Sequence, residues 1–184
     1  FGQALAEMHR ETQEQYGLDH DNFIGKTIQK NNLELDGLVF FREHRIRFQQ
    51  ELARKTRGLP KSIDNRLDLF CEKLGSLLDL NDEKPALLHG DLWSGNYFAS
   101  HDQTPYIFDP AVYFGLREAD LAMTEMFGRL PQEFYSTYQE VFPTQPGYTE
   151  RKDIYNLYHL LNHYNLFGGS YLEQADQTVR SFLD

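Results

Sequence analysis

Three oxygen-bearing side chains in the middle of the sequence have the types and the spacing of a phosphoryl-transfer site: Asp91, Asn96 and Asp109. Carboxylate and amide oxygens are suitable ligands for Mg²⁺. Catalytic loops of the pattern H-R-D-x-x-x-x-N use the aspartate to accept the proton of the substrate hydroxyl and the asparagine to hold a Mg²⁺ ion. His89, Asp91 and Asn96 fit this pattern at its histidine, aspartate and asparagine. The sequence therefore predicts a Mg²⁺-dependent phosphoryl-transfer site.

A short β-hairpin is predicted between the second and third of these residues. Residues 97–99 and 106–108 are apolar or aromatic runs, and the polar residues 100–105 between them are typical of a turn. Because a hairpin brings its two ends together, we expect Asn96 and Asp109 to lie at the same open end, where they can share one metal cluster.

The composition limits what else the protein can be. With 184 residues, of which 40% are hydrophobic, the chain has the length and content of one globular domain. It has no apolar run long enough to span a membrane and no secretion signal at its start, so we expect a cytoplasmic protein without a membrane partner. Its single cysteine, Cys71, excludes an intrachain disulfide.

Charge sets a second limit. A net charge of −10 is unfavourable for a nucleic-acid partner, because such partners are bound by clustered lysines and arginines. An acidic site also repels phosphates, so an ATP-dependent reaction here needs Mg²⁺ and further cationic groups. We interpret the one basic cluster as a solvated helix face, with phosphate binding as the alternative. It consists of Arg42, Arg45, Arg47, Arg54, Lys55 and Arg57.

Apolar periodicity predicts a mainly helical fold with one small hairpin. Helical spacing begins at Phe1, which is not an initiator methionine, so we expect the chain to be part of a longer polypeptide. A loop is expected over residues 18–36 and an irregular aromatic segment over residues 110–115. Helices are predicted over about residues 1–16, 38–56, 62–78, 118–129, 131–142, 150–167 and 171–183.

Several segments resemble a known family. Residues 89–96 (HGDLWSGN), 107–111 (IFDPA) and 118–122 (EADLA) closely resemble the fructosamine kinase family. Residues 2–9 look like the helix that opens that family's C-terminal lobe, and residues 158–168 look like its last long helix. The resemblance covers essentially the whole chain. A lone His-Gly-Asp occurs in several small-molecule kinases, whereas the longer pattern is much more specific.

The resemblance implies the C-terminal lobe of a protein-kinase-like fold, related to aminoglycoside and choline kinases. It implies ATP-dependent phosphorylation of ketosamines at the third-carbon hydroxyl of the sugar, after which the product sheds its sugar and the amine or protein is deglycated. Asp91 would be the catalytic base or hydroxyl-orienting group, and Asn96 and Asp109 would bind Mg²⁺. The family's N-terminal nucleotide-binding lobe has no counterpart in residues 1–184. We therefore expect this chain alone to bind ATP weakly and to lack turnover.

Other residues near these motifs are candidates for supporting roles. His89 and Asp120 are expected to support the site structurally, Asp120 by capping a helix or fixing the loop backbone. Five side chains are candidates for substrate contact, with packing inside the lobe as the alternative for each. These are Trp93, Glu118, His159, Asn162 and His163. His159 and His163 are also a less favoured metal pair, because they stand four residues apart on one predicted helix.

Two other functions remain open from the sequence. One is a different small-molecule kinase, of the aminoglycoside or choline phosphotransferase type, which a screen of acceptor substrates would distinguish. The other is a kinase-like binding module without catalysis. The presence of Asp91, Asn96 and Asp109 together is unfavourable for that second alternative, since a binding module does not need all three.

Overall fold

The computed structural model describes residues 1–78, 80, 83–102 and 104–183. Within these ranges the chain is mainly helical, and none of its helices is long and apolar enough to cross a membrane. The helices are α1 (Gly2–His9), α2 (Gly37–Phe40), α3 (Phe48–Thr56), α4 (Lys61–Leu77), α5 (Glu118–Met126), α6 (Gln132–Val141), α7 (Tyr148–Phe167) and α8 (Tyr171–Leu183). The strands are β1 (Asn22–Ile24), β2 (Thr27–Gln29), β3 (Ala86–Leu88), β4 (Tyr97–Ala99), β5 (Pro105–Ile107) and β6 (Tyr113–Gly115).

Helix α7 is the central element of the larger core. It packs against α3, α5 and α8, and its buried side chains include Ile154, Leu157 and Leu161. A second, smaller core lies between α1 and α6. Leu92, which directly follows the predicted catalytic aspartate, is 1% exposed and belongs to this second core. The loop is therefore anchored by its own apolar side chain.

The strands form three antiparallel pairs: β1 with β2, β3 with β6, and β4 with β5. The β4–β5 hairpin confirms the predicted hairpin, with Tyr97 opposite Ile107, although its second strand is Pro105–Ile107 rather than residues 106–108. Residue Gln103 of the predicted turn lies outside the described residues. The β3–β6 pair places Leu88 opposite Tyr113. The loop after β3 and the segment before β6 both join this pair at the same end of the two strands. The two predicted site segments therefore lie side by side.

Several sequence predictions were wrong in detail. The first helix ends at His9 rather than near residue 16, because the following residues run alongside β3: Leu87 donates to the Glu11 carbonyl at 2.8 Å. The predicted loop over residues 18–36 contains the β1–β2 hairpin, and the predicted irregular segment over residues 110–115 contains β6. These strands have three residues each, too few for an alternating pattern to be recognised.

The predicted helix over residues 38–56 is continuous but not uniform. Between α2 and α3 lies a π-helical segment, Phe41–Arg47. Arg45 in this segment is 0% exposed, and its guanidinium lies 4.0 Å from the centroid of the Tyr113 ring and 4.5 Å from that of Phe40. The prediction that Arg45 lies on a solvated face is therefore wrong. Its partners are aromatic faces and carbonyl oxygens, which compensate for part of the loss of water around the charge, while its Nε has no hydrogen-bond partner within the described ranges.

Candidate active site

The loop after β3 is held by a carboxylate from α5. The backbone N–H groups of His89 and Gly90 donate to the two oxygens of Asp120, at 2.7 and 2.8 Å. The imidazole of His9, 0% exposed, donates from Nε2 to the same carboxylate at 3.2 Å. Burial by itself would raise the pKa of Asp120, but the hydrogen bond from His9 and the loop donors hold that pKa below its ordinary value. Asp120 is thus an ionised anchor beneath the loop.

The His89 ring bridges the two segments of the site. Its Nε2–H donates to the Phe108 carbonyl at 3.0 Å, and its Nδ1 accepts from the Asp91 N–H at 3.3 Å. A carbonyl can only accept and an amide N–H can only donate, so these partners fix the neutral Nε2–H tautomer. Neither ring nitrogen is free for proton transfer, which favours the structural role predicted for His89.

Gly90 permits close approach of the two segments. Its φ is +80°, and a Cβ atom at this position would lie 2.1 Å from the Ala111 carbonyl oxygen. A residue with a side chain would therefore have to move the backbone after Asp109. The Ala111 N–H also donates to the His89 carbonyl at 2.8 Å, which closes the contact from the other side.

Asp91 is half-buried and lies in a negative environment. Burial first, and then the charges of Asp109 and Asp120, raise the pKa of Asp91 to about 6, while the hydrogen bond from Asn96 acts in the opposite direction. The Asn96 amide donates to the Asp91 carbonyl at 2.9 Å and more weakly to its carboxylate, at 3.4 Å. With a pKa near 6, Asp91 is mostly ionised at neutral pH but can still take up a proton.

Two oxygen donors at this site are suited to Mg²⁺. The amide nitrogen of Asn96 faces Asp91, and its carbonyl oxygen accepts no hydrogen bond from the described residues. Asp109 is exposed, and its carboxylate likewise accepts none from them. Within the described ranges no three His, Cys, Asp or Glu side chains gather as a metal site. Mg²⁺ at a phosphoryl-transfer site typically takes one or two protein oxygens together with phosphates and water, so this donor set fits it.

Asp109 has an unusual backbone. Its φ is +54°, and within the described ranges it is the one residue other than glycine with a positive φ. Residues with a Cβ atom seldom adopt this left-handed conformation, and they keep it only where the surroundings enforce it. The neighbouring contacts are close: the Phe108 N–H donates to the Asn96 carbonyl at 3.1 Å. The hairpin therefore brings Asn96 and Asp109 to the same end, as the sequence predicts.

The substrate-contact candidates fall into two groups. Trp93 is 38% exposed; its ring lies over Gly95 and meets the edge of Phe127 at a centroid distance of 6.2 Å. His163 is half-buried and packs against the same Phe127 ring at 5.2 Å, so these side chains form one aromatic edge beside the loop. Burial lowers the pKa of His163. Trp93 and His163 are therefore the two candidates with surface left for a ligand.

Glu118 does not reach that surface. It is 0% exposed, and it accepts hydrogen bonds from Arg151 at 2.6 and 2.7 Å and from the Tyr155 hydroxyl at 3.1 Å. The Gln145 N–H donates to it as well, at 2.9 Å. The prediction that Glu118 contacts substrate is contradicted, because both oxygens are occupied inside the core.

His159 and Asn162 are also interior. Asn162 is 2% exposed and accepts from the Gln49 amide at 3.3 Å. His159 is 4% exposed, and burial, aided by His163, lowers its pKa to about 3. Their positions favour the alternative of packing inside the lobe. The proposed metal pair of His159 and His163 finds no third ligand within the described ranges.

The whole chain, residues 1–184, matches the family model described as fructosamine kinase. The chain belongs to the fructosamine kinase family. It is 47% identical to a protein of Vibrio parahaemolyticus named probable ketoamine kinase, of which it covers 62%, and 42% identical to a chloroplastic protein-ribulosamine 3-kinase of Oryza sativa, of which it covers 54%. All of this chain is covered in both comparisons. The chain thus spans roughly three fifths or less of the length of these relatives.

A solved structure confirms the fold of this fructosamine kinase family member. The crystal structure of a candidate fructosamine-3-kinase from Thermobifida fusca matches all of this chain and 63% of its own, with a TM-score of 0.92 and 34% identity. At this similarity the two chains share their architecture from α1 to α8. A mainly helical fold with small antiparallel sheets is therefore the family's fold in this region.

The residues that support the site from the core are not indicated by the sequence patterns. Periodicity places His9 only on a helix, and it predicts a loop for the segment that contains Asn22 and Gln29. The basic cluster predicts a solvated position for Arg45. One usable signal existed: Arg45 interrupts an apolar stripe at a position where the periodicity requires a buried residue.

Proposed function

We propose that residues 1–184 form the catalytic lobe of a protein-kinase-like enzyme that phosphorylates ketosamines with ATP and Mg²⁺, and that this reaction leads to deglycation of amines or proteins. The observation that carries the proposal is the group of Asp91, Asn96 and Asp109, assembled on an anchored loop in a chain of the fructosamine kinase family. The printed names of the relatives, ketoamine kinase and protein-ribulosamine 3-kinase, support the substrate class.

Asp91 is the proposed base. Its carboxylate orients the sugar hydroxyl and takes its proton as the oxygen attacks the γ-phosphorus of ATP and the bond to the departing ADP breaks. A pKa near 6 keeps Asp91 ionised at pH 7 without making it a poor proton acceptor. Asn96 steadies the carboxylate through its amide donor. Holding the base and the acceptor hydroxyl in a fixed arrangement supplies much of the catalysis in phosphoryl transfer.

Asn96 and Asp109 are the residues that would hold Mg²⁺. When bound, the ion supplies positive charge that neutralises the phosphates and offsets the repulsion from the acidic site. The amide group of Asn96 is suited to binding Mg²⁺ because its nitrogen donates to Asp91, while its oxygen accepts no hydrogen bond from the described residues and can coordinate the ion. Asp109 contributes a carboxylate that accepts no hydrogen bond from the described residues, so no protein donor among them competes with the ion for it.

The remaining cationic groups are proposed to come from a second lobe. Many of the basic side chains described here pair with acids away from the loop, as in Arg47 with Asp68 and Arg54 with Asp64. The relatives have further length that this chain does not span, and we place the nucleotide-binding lobe there. The protein that combines residues 1–184 with such a lobe is called the two-lobe protein below. Residues 1–184 alone are expected to lack turnover.

An acceptor screen tests the function. ADP release by the two-lobe protein is measured with fructosyl and ribulosyl amines, with aminoglycosides and with choline. Turnover selective for the ketosamines is expected, and the matched control is the same protein with Asp91→Asn. Selective turnover of aminoglycosides or choline would assign a different small-molecule kinase, and no turnover of any acceptor, with Mg²⁺ and ATP present, would support a binding module instead.

A further inference from the structure

The β1–β2 hairpin carries a ladder of amide side chains that reaches the segment after Asp109. The Gln29 amide donates to the Ala111 carbonyl and to the Asn22 side-chain oxygen, both at 2.9 Å. The Asn22 amide in turn donates to the Val112 carbonyl at 2.7 Å. Two consecutive backbone carbonyls that follow the proposed metal ligand are therefore held by side chains from more than eighty positions earlier in the sequence.

The far side of this ladder is fixed in the core. The Tyr158 hydroxyl donates to the Gln29 side-chain oxygen at 2.9 Å. The Asn31 amide donates to Asn22 at 2.9 Å, and Asn31 accepts from the Arg45 guanidinium at 3.0 Å. Exposure falls to 1% at Gln29 and 0% at Asn31 and Arg45. Buried amides are costly unless bonded, so a ladder with both its donors and its acceptors engaged permits one arrangement.

The ladder acts on a backbone that needs support. Asp109 has a φ of +54°, a left-handed conformation that few residues other than glycine adopt, aspartate among them, and that persists where the surroundings favour it. His89 holds the Ala111 N–H from one side, and the ladder holds the Ala111 and Val112 carbonyls from the other. No hydrogen bond to the Asp109 carboxylate itself is found within the described ranges. Its position is therefore set through the backbone on either side of it, where Phe108 is held by Asn96 and His89 and the following carbonyls are held by the ladder.

We propose that Asn22 and Gln29 are positioning residues: they hold the backbone after Asp109 so that Asp109 keeps its left-handed conformation and presents its carboxylate beside Asn96. Tyr158 acts behind them by orienting the Gln29 amide. The proposed effect on the carboxylate adds two residues to the proposed Mg²⁺ site and therefore rests on the proposed function. The proposed effect on the Asp109 backbone does not rest on the proposed function.

The test uses three variants of the 184-residue chain. Gln29→Leu removes the bond to the Ala111 carbonyl, and Tyr158→Phe removes only the hydroxyl that orients Gln29. Tyr164→Phe is the matched control, because Tyr164 lies on the same helix and its hydroxyl donates to the Gly58 carbonyl, at 2.8 Å, away from the ladder. Circular dichroism and thermal melting establish that each variant is folded.

Two nuclear magnetic resonance readouts are compared. The first is the three-bond HN–Hα coupling and the carbon shifts of Asp109, which report its φ. The second is the Mn²⁺ concentration that half-broadens the signals of Asn96 and Asp109, with Mn²⁺ as a paramagnetic probe of the proposed Mg²⁺ site. For Gln29→Leu we expect the Asp109 signals to leave their left-handed values and the half-broadening concentration to rise about 10-fold. Tyr158→Phe should move both in the same direction, and Tyr164→Phe should leave both unchanged.

The outcomes separate this proposal from the proposed function. If folded Gln29→Leu and Tyr158→Phe keep the Asp109 signals of the unaltered chain, the ladder does not set its conformation and the proposal is wrong. If Gln29→Leu fails to fold, Tyr158→Phe decides the matter by the same signals. If Mn²⁺ together with ATP broadens neither Asn96 nor Asp109 in the unaltered two-lobe protein, the metal site of the proposed function is contradicted, while the Asp109 signals still test the ladder.

Discussion

His9 Nε2 lies 3.2 Å from Asp120 Oδ2, in a pair that is closed to solvent beneath the loop after β3. The pair joins α1 to α5. Asp120 also accepts hydrogen bonds from the N–H groups of His89 and Gly90, which link both helices to the loop. On the other side of the imidazole, Nδ1 is hydrogen-bonded to the Tyr138 hydroxyl at 2.8 Å. Residues from α1, α5 and α6 thus form one hydrogen-bonded chain, and its carboxylate, Asp120, holds the backbone next to the proposed base.

The first prediction concerns that carboxylate. Asp120→Asn keeps the shape but loses one acceptor and the charge, so we expect the free energy of unfolding to fall by about 3 kcal/mol. Urea unfolding followed by circular dichroism measures this. Glu51→Gln, which removes an exposed partner of Lys55, is the control and should leave the free energy of unfolding nearly unchanged. Equal effects for the two variants would show that Asp120 is not an anchor.

The second prediction concerns the interior glutamate. Glu118→Gln weakens the buried pair with Arg151, whose side chains are 1% and 8% exposed, and should cost about 3 kcal/mol of unfolding free energy. Because Glu118 has no surface for a ligand, the KM for ketosamine in the two-lobe protein should stay within about twofold. A large rise in KM without loss of stability would restore Glu118 as a substrate residue.

The third prediction concerns acid sensitivity. Burial lowers the pKa of His159 from 6.5 to about 3, so below pH 6.5 the unfolded chain binds a proton that the folded chain does not. Stability must therefore fall as the pH is lowered, by about 2 kcal/mol between pH 7 and pH 5 from this residue alone. His163 adds to the lowering of this pKa, Asp120 opposes it, and Arg45 adds a smaller contribution.

The measurement compares the unaltered chain with His159→Gln by urea unfolding at both pH values. The raised pKa of Asp91 acts in the opposite direction, because the folded state there gains a proton as the pH falls through 6. Asp91 is present in both chains, so its contribution cancels in the difference. Parallel pH profiles would mean that His159 takes up its proton in the folded state.

The fourth prediction concerns the aromatic edge. Trp93 is partly exposed beside the loop, and stacking of a sugar ring on it would contribute to binding. Trp93→Ala in the two-lobe protein should raise the KM for ketosamine roughly 5- to 10-fold, with a smaller change for ATP. Leu35→Ala, at a position 77% exposed and outside the proposed site, is the control. An unchanged KM for Trp93→Ala would assign the indole only to packing against Gly95 and Phe127.

The parts of the site that lie close together in sequence could be predicted from it. Asn96 and Asp109 flank a hairpin whose strands and turn have clear residue preferences, so their meeting follows from local chemistry. The helices from α4 to α8 likewise follow from apolar periodicity over many residues. Local rules suffice where the partner of a residue is only a few positions away.

The supports of the site could not be predicted in this way. The pairing of β3 with β6 joins segments about 25 positions apart, and three-residue strands carry too little pattern to indicate a partner. Arg45 looks like a surface residue until Phe40, Tyr113 and Tyr158 are seen around it. Glu118 looks like a cleft residue until Arg151 is seen to cover it. In each case the deciding partner comes from a different element.

Asp91 is the proposed base of a ketosamine kinase, and the most direct test of this claim is the kcat of Asp91→Asn in the two-lobe protein at saturating ATP, Mg²⁺ and ketosamine. Loss of the base should lower kcat by about 10²- to 10⁴-fold with little change in thermal stability. Asp153→Asn, an exposed position on α7, is the matched control and should keep full activity. A kcat for Asp91→Asn close to that of the unaltered enzyme would contradict the claim.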